Sequence, residues 1–188
     1  MSKLYFRYGA VSSAKTLNLL AVYRNYEIQG KRAVIAVPKV DTRFGEGTVK
    51  SRAGMSAPAD ILISGPESIS NFDYKDVSCI LVDEAQFLSI EEVEALYKLC
   101  LDNKTPVIAY GLRTNFKTEL FIGSKRFIEL ADSIEEIKTT CWLCQRKALF
   151  NGRYIDNNLS VSGEEIVLGG CELYKPLCKS CYHQEKTK

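Results

Sequence analysis

The sequence lacks any apolar run long enough to cross a membrane, and its first residues, MSKLYFRYG, lack the apolar stretch of a secretion signal. It also lacks a strong charge of either sign: a net charge of +2 is too small to indicate a nucleic-acid surface. Neither an internal repeat nor a low-complexity tract is present. Hydrophobic residues at 46% and charged residues at 26% then predict a globular cytoplasmic enzyme or binding protein, with no membrane or nucleic-acid partner.

Cysteine, in contrast, is concentrated at one end of the chain. Cys79 and Cys100 lie alone in apolar segments, whereas the other five of the seven cysteines fall between residues 141 and 181. An odd total, this crowding and the missing secretion signal argue against a disulfide framework. A local metal site is the better interpretation.

The spacing of these cysteines indicates which ones bind the metal. Two C-x-x-C pairs supply four thiolates for a tetrahedral structural Zn²⁺. Cys171 and His183 are possible substitutes in this set, and four free buried thiols are the alternative to a metal site. The predicted ligands are Cys141, Cys144, Cys178 and Cys181.

Short, continuously apolar runs recur along the first two thirds of the chain. Runs of this kind are typical of parallel strands covered on both faces, so they predict an α/β layer fold. The predicted strands are 4–8, 32–37, 59–64, 78–83 and 106–111.

Helical patterns lie between some of these strands. After Thr16, we expect Leu17, Leu20, Ala21 and Ile28 to share one helical face, with Gly30 ending the helix. A second helix starts at Ser89, which forms a capping box with Glu92. The glycine-rich stretch 40–59 has no helical pattern, and its length predicts a functional loop.

The segment GAVSSAKT, residues 9–16, connects the first predicted strand to a helix. It matches the phosphate-binding pattern G-x-x-x-x-G-K-[ST], except that Ala14 replaces the second glycine. In such a loop backbone N–H groups hold phosphates, Lys15 reaches the β- and γ-phosphates and Thr16 helps to hold Mg²⁺. We expect Ala14 to start the helix with helical backbone angles, where alanine costs little. The alternative is an ordinary strand–turn–helix connection.

The segment ILVDEAQF, residues 80–87, ends a buried strand with two adjacent carboxylates. Charges at the carboxyl end of a parallel strand point into the crevice where ligands bind. Asp83 suits the Mg²⁺ side of a phosphate site, and Glu84 suits a general base toward a substrate hydroxyl. An acidic pair that merely caps a helix is the alternative.

These segments together resemble the thymidine kinase family of bacteria, phages and the animal cytosol. The resemblance runs nearly end to end, and it depends on the order and spacing of the motifs. They are GAVSSAKT (9–16), DTRFG (41–45), SRAG (51–54), VDEAQF (82–87), YGLRTNF (110–116), ELFIGS (119–124), IKTTCWLC (137–144) and VLGGCELYKPLCKSCY (167–182).

The resemblance implies a P-loop NTPase-type parallel sheet flanked by helices over residues 1–138, with a small zinc-binding lasso domain over 139–188. It implies transfer of the γ-phosphate of ATP, with Mg²⁺, to the 5′-hydroxyl of thymidine, and deoxyuridine as a second substrate. A homotetramer and feedback inhibition by thymidine triphosphate are implied as well. In this scheme, residues 145–177 form a lid whose ends are fixed by zinc.

The resemblance also assigns roles to residues. Glu84 is the catalytic base, and Thr16 and Asp83 lie on the Mg²⁺ side. The ATP set is Gly9, Ala10, Val11, Ser12, Ser13, Ala14, Lys15, Thr16, Asp41, Arg43, Asp83 and Gln86. The nucleoside set is Val11, Phe87, Leu112, Phe116, Asn151, Val167, Leu168, Gly169, Gly170 and Tyr174, and the backbone of 167–170 holds the thymine base.

Two residues depart from the family pattern: Ala14 stands in place of the loop glycine, and Asn115 stands where close bacterial relatives carry aspartate. Two other functions remain open from the sequence. One is a P-loop paralogue whose kinase turnover is weakened by Ala14. The other is a zinc-ribbon nucleic-acid-binding ATPase, since DEAQ also resembles a helicase motif and the chain ends in a basic tail.

Overall fold

The computed structural model describes residues 2–42, 45, 47–165 and 173–187. In chain order the elements are β1 (Leu4–Tyr8), α1 (Lys15–Ile28), β2 (Arg32–Pro38), β3 (Thr48–Lys50), β4 (Ser56–Pro58), β5 (Ile61–Ile63), α2 (Pro66–Ser70), β6 (Val77–Val82), a short 3-10 helix (Ala85–Phe87), α3 (Ile90–Asp102), β7 (Val107–Gly111), α4 (Ile122–Leu130), β8 (Ser133–Glu136), β9 (Phe150–Ile155), β10 (Asn158–Ser160), β11 (Tyr174–Leu177) and α5 (Lys179–Lys186).

Six of the strands form a parallel sheet in the order β5-β2-β6-β7-β1-β8. The five strands predicted from apolar runs are all in it, and β8, which was not predicted, adds an exposed edge. One apolar cluster packs the sheet against α2, α3 and α4, and a second packs the opposite face against α1. Coverage of both faces explains why these strands are continuously apolar.

Helix α1 packs through a different face from the predicted one. Leu19 and Leu20 are buried, whereas Ile28 is 72% exposed and Ala21 is also exposed. Tyr23 and Tyr26 complete the contact with the sheet. The apolar part of their rings covers the sheet while the hydroxyls reach polar surroundings, which a count of aliphatic residues does not anticipate.

The start of helix α3 agrees with the prediction. The Ser89 hydroxyl accepts a hydrogen bond from the Glu92 N–H, and the Glu92 carboxylate accepts one from the Ser89 N–H. Two of the backbone N–H groups that lack a partner within the helix are thereby satisfied.

The stretch 40–59 is only partly a loop. Residues Thr48–Lys50 and Ser56–Pro58 pair as a two-stranded antiparallel hairpin, β3–β4, beside the carboxyl edge of the main sheet. Val49 is buried in the apolar cluster of α1 and β2, and Ala57 packs partly buried against the same cluster, so both strands of the hairpin contact the core.

The C-terminal part contains a second sheet, with the antiparallel order β10-β9-β11. Much of the predicted lid 145–177 is therefore regular structure rather than a loop. A third apolar cluster, which includes Tyr154, Leu177 and Tyr182 with the cysteines, holds this sheet against α5. Within the described residues, no helix is both long and apolar enough to cross a bilayer.

Candidate active site

A cavity of about 620 Å³ opens at the carboxyl edge of the main sheet, where ligands of open α/β sheets bind. One side is the loop after β1 and the first turn of α1, and the base is the end of β6. The β3–β4 hairpin forms the opposite side. The lining includes Val11, Ser12, Ser13, Ala14, Lys15, Thr16, Asp41, Asp83, Glu84 and Leu112, all predicted from the sequence.

The loop 9–16 wraps around the ammonium group of Lys15. Its Nζ donates to the carbonyl oxygens of Gly9 at 3.2 Å and Ala10 at 3.0 Å, and to Ser13 Oγ at 3.4 Å. Gly9 and Ala10 therefore shape the loop through their carbonyl groups, and the lysine rather than either residue lines the cavity. A Cβ on Gly9 would lie 2.4 Å from the Ile137 carbonyl oxygen, so only glycine fits there.

Ala14 does not have the helical conformation that the sequence analysis expected. It immediately precedes α1 with φ 62° and ψ 29°, in the left-handed region that favours glycine. Ser12 has φ 62° as well. The loop thus has the backbone of a glycine-containing phosphate loop, and alanine adopts it at a steric cost.

Asp83 lies at the end of β6 and is 5% exposed. Its Oδ2 accepts a hydrogen bond of 2.9 Å from Thr16 Oγ1, while its Oδ1 is buried without a partner among the described residues. Burial, and then the negative charge of Glu84, raise the pKa of Asp83 to about 7 against the opposing effects of Thr16 and Lys15. An orphaned carboxylate oxygen beside a threonine hydroxyl fits a hard divalent cation such as Mg²⁺.

Glu84 follows directly, in a strained left-handed conformation with φ 47°. Its Oε2 accepts a hydrogen bond of 2.6 Å from Gln86 Nε2, and Gln86 Oε1 accepts one of 2.9 Å from the Leu112 N–H. Gln86 was assigned to the ATP set, but its side chain is 1% exposed and does not line the cavity. Its amide instead orients Glu84 and ties it to the loop after β7.

The hairpin β3–β4 brings two cations that the sequence analysis missed. Lys50 and Arg52 both line the cavity, and Arg52 Nη1 donates to Ser12 Oγ at 2.5 Å. The only sequence signal was the motif SRAG, to which no role was assigned. Asp41 lies on the same side.

The residues of the nucleoside set are distributed over two regions. Val11 and Leu112 line the cavity, while Phe116 is 1% exposed and Phe87 packs edge-on against Phe121 outside it. The set members Val167, Leu168, Gly169 and Gly170, together with Arg43 of the ATP set, lie outside the described residues.

Asn151 joins the second sheet to the phosphate loop. Its Oδ1 accepts a hydrogen bond of 2.8 Å from the Val11 N–H, and its Nδ2 donates to the Thr114 carbonyl oxygen at 2.7 Å. The side chain is 2% exposed. It therefore fixes the loop against the C-terminal sheet, and both its polar atoms are occupied by protein.

The four predicted metal ligands come together. The Sγ atoms of Cys141, Cys144, Cys178 and Cys181 all lie within 4.8 Å of one another, with 3.6 Å between Cys144 and Cys178. Tetrahedral zinc–thiolate bonds of about 2.3 Å give sulfur–sulfur distances of about 3.8 Å, which lies within the range of these positions. The arrangement is that of a closed structural site.

The backbone around Cys141 favours its thiolate form, whereas hydrogen bonding with the Cys178 thiol raises the pKa of Cys181 to about 12. Burial opposes ionisation of Cys141, but hydrogen bonds from the backbone of Cys178, Leu143 and Cys144 outweigh it and lower its pKa to about 7. Zinc binds the thiolate form, so this environment suits the metal.

The chain is similar in sequence to known proteins over nearly its whole length. The family model described as thymidine kinase matches residues 2–182. A thymidine kinase of Lactococcus lactis is 43% identical over 97% of both chains, one of Enterococcus faecalis is 40% identical over 100% of this chain and 97% of its own, and one of Streptococcus gordonii is 44% identical over 97% and 96%. Among solved structures, a DNA replication initiation factor has a TM-score of 0.42 at 20% identity, over 72% of this chain and 40% of its own.

Neither alternative function finds support in these relatives, which are all named thymidine kinases and match from end to end. The family model and these relatives match nearly the whole chain, which also carries a phosphate loop, an acidic pair and a cysteine cluster. The chain belongs to the thymidine kinase family.

Proposed function

We propose that this protein transfers the γ-phosphate of ATP to the 5′-hydroxyl of thymidine, and of deoxyuridine as a second substrate. The single observation that carries this proposal is the convergence of Lys15, Thr16, Asp83 and Glu84 on one cavity at the carboxyl edge of the sheet. Phosphoryl transfer needs mainly positioning and charge stabilisation, and a lysine, a cation site and a carboxylate base supply both.

Each residue has a defined part in this reaction. Lys15 leaves the carbonyl oxygens of its own loop for the β- and γ-phosphate oxygens, which compete for the same ammonium group. Thr16 and Asp83 would hold Mg²⁺, which neutralises charge on the phosphates when bound. Glu84, oriented by Gln86, accepts the proton of the 5′-hydroxyl as the hydroxyl oxygen attacks the γ-phosphorus. The bond between the γ-phosphorus and the β–γ bridging oxygen breaks, and ADP leaves with that oxygen.

Arg52 and Asp41 complete the phosphate side in this proposal. The Arg52 guanidinium already contacts the phosphate loop, so it is placed to meet the negative charge of the transferring group. We assign Arg43 to the same side on the family pattern alone.

The nucleoside side comprises Val11, Leu112, Phe87, Phe116 and Tyr174, together with the backbone of 167–170. We further propose that zinc is the metal of the cysteine cluster and that residues 139–188 act as a unit over the 1–138 domain. The enzyme is proposed to be a cytoplasmic homotetramer that is inhibited by thymidine triphosphate. Support for the compartment comes from cysteines arranged for metal rather than for disulfides.

The test is a coupled ADP-release assay over a panel of nucleosides, with Glu84→Gln beside the native protein. Thymidine and deoxyuridine should be phosphorylated and purine nucleosides should not. Glu84→Gln should lower kcat by about 10²–10⁴-fold, because a glutamine cannot accept the proton, and should leave ATP binding nearly unchanged. Full turnover by this variant would refute the assignment of the base.

A further inference from the structure

Strand β9 presents its two faces to different parts of the molecule. Phe150 and Tyr154 belong to the apolar cluster around the cysteines. Because side chains alternate along a strand, Asn151 and Arg153 lie on the opposite face. Asn151 contacts the phosphate loop, so that face is directed toward the active site.

Arg153 lies at the centre of this site-facing side. In the sheet it is directly opposite Ser160 of β10 and Tyr174 of β11. Directly opposed residues in antiparallel strands project from the same face. Arg153 is therefore a same-face neighbour of both Asn151 and Tyr174, two residues assigned to the nucleoside set, although no sequence motif singles it out.

The Arg153 side chain is only 3% exposed, and no carboxylate of the described residues pairs with it. Nη1 donates to the Glu164 carbonyl oxygen at 2.8 Å, and Nη2 donates to the Ser162 carbonyl oxygen at 2.5 Å and to Ser160 Oγ at 3.4 Å. A buried cation is costly unless oxygens or an aromatic ring compensate it. Here the carbonyl oxygens of Ser162 and Glu164 and the Ser160 hydroxyl compensate the two Nη atoms, while Nε is buried without a hydrogen-bond partner among the described residues.

The guanidinium also stacks on Phe116, with Cζ 3.6 Å from the ring centroid. Gly163 makes room for it: its φ is +111°, and a Cβ there would lie 2.6 Å from Arg153 Nη2. Arg153 thus joins the ring of Phe116 and the segment Ser160–Glu165 into one packed unit.

Asn115, next to Phe116, fastens the same segment. Its Nδ2 donates to Glu165 Oε1 at 3.2 Å and to Glu119 Oε2 at 3.4 Å, and its Oδ1 accepts from the N–H groups of Lys117 and Glu119. An aspartate side chain has no N–H group and would repel the carboxylates of Glu119 and Glu165. The asparagine at this position therefore suits a neighbouring Glu165.

We propose that Arg153 is a positioning residue for the nucleoside: it holds Phe116 and the segment Ser160–Glu165 in the arrangement that binds thymidine. This inference rests on the proposed function for its substrate. No hydrogen bond or ion pair of the described residues joins Arg153 to the phosphate loop or to the acidic pair, so it acts on nucleoside affinity rather than on the transfer step.

Two variants test the proposal. Arg153→Lys keeps the charge but loses the planar fork that makes the stack and the paired hydrogen bonds. Arg153→Met keeps much of the apolar stem and loses the charge. Both should raise the KM for thymidine by about tenfold or more, while kcat and the KM for ATP stay within about threefold of the native values. Lys147→Met, which removes an exposed cation of the same region paired with Glu136, is the matched control.

We call the second sheet, α5 and the four clustered cysteines the cysteine module. Zinc content and the fluorescence of Trp142, the single tryptophan, report whether this module is intact. An intact module with a raised thymidine KM supports the positioning role. A native thymidine KM in Arg153→Lys would refute it. So would equal losses in both KM values and kcat together with zinc loss, because that pattern marks a purely structural residue.

Hydrogen–deuterium exchange separates this inference from the proposed function. In Arg153→Lys, amides of 160–165 should exchange faster than in the native protein, while those of β9 and β11 should not. Unchanged exchange at 160–165 would refute the positioning role, whatever the enzyme phosphorylates. Faster exchange in a protein whose native form ignores thymidine would refute the proposed substrate and leave the packing role of Arg153 standing.

Discussion

Ala14 occupies a backbone conformation that suits glycine better than alanine. With φ 62°, its Cβ is crowded by the following carbonyl group, at a cost of roughly 1–2 kcal/mol for an L-residue. Part of this cost is offset because alanine restricts the unfolded chain more than glycine does. Ala14→Gly should therefore increase the free energy of unfolding by up to about 1 kcal/mol.

The same substitution should strengthen ATP binding modestly, since the loop no longer needs strain to keep its phosphate-binding shape. Urea unfolding and ATP titration measure the two effects, and Ala10→Gly in the same loop is the control because Ala10 has no positive φ. A loss of stability in Ala14→Gly would contradict the strained conformation. The sequence could locate this alanine but could not give its dihedral angles, which depend on the contacts of the whole loop.

The raised pKa of Asp83 should make the stability of the Mg²⁺-free protein depend on pH. Its pKa is raised to about 7, mainly by burial and then by the charge of Glu84, whereas an unfolded aspartate ionises near pH 4. Between these values the folded state binds a proton that the unfolded state has released, so stability falls as pH rises. The loss is complete only above about pH 7.

Asp83→Asn removes this titration and keeps an acceptor for the Thr16 hydroxyl. The metal-free variant should be more stable than the native protein at pH 8, by on the order of 2 kcal/mol, and nearly equal to it at pH 4.5. Denaturant unfolding with a chelator present measures both values. Parallel pH profiles for the two proteins would contradict the raised pKa of this buried carboxyl group. The variant should also lose kinase activity.

At the scale of the elements, the parallel strands could be predicted because burial on both faces leaves a continuous apolar run. The buried face of α1 could not, because Tyr23 and Tyr26 replace aliphatic residues at the contact with the sheet. The β3–β4 hairpin was also missed. Each of its strands has three residues, too few for an alternating pattern, and Val49 is the one residue of the two strands that is fully buried.

In the candidate site, too, some residues could be predicted from local sequence patterns and others could not. Lys15, Thr16, Asp83 and Glu84 follow from motifs in which spacing along the chain fixes position in space. Arg52, Gln86 and Arg153 act across elements: Arg52 reaches another loop, Gln86 links Glu84 to Leu112, and Arg153 links β9 to Phe116. No local pattern contains such long-range partners, so these roles require the fold.

At the scale of the whole molecule, the cysteine cluster is coupled to the active site by described contacts. Tyr182, beside Cys181, donates from its hydroxyl to the Phe116 carbonyl oxygen at 2.7 Å and packs against Phe150. Asn151 on β9 holds the Val11 N–H. The cysteine cluster therefore supports both the nucleoside side and one end of the phosphate loop.

Removal of zinc should consequently affect the two substrates unequally. The apolar clusters of the main sheet contain none of the cysteine module, so the α/β part should keep its fold and weak ATP binding. The module depends on its metal and should lose its order, which removes the support of Phe116. We expect thymidine binding to be lost at chelator concentrations at which ATP binding persists, with the Trp142 emission changing in parallel.

Cys178→Ser should reproduce the chelated state permanently, with zinc content falling from one ion per chain to near zero. Cys100→Ser, a buried cysteine outside the cluster, is the matched control and should retain zinc and thymidine binding. Calorimetric titrations with each substrate, made beside metal analysis, distinguish the outcomes. Equal loss of ATP and thymidine binding would show that the two parts unfold as one unit. Retention of both by zinc-free protein would show that the contacts of Tyr182 and Asn151 do not depend on the metal.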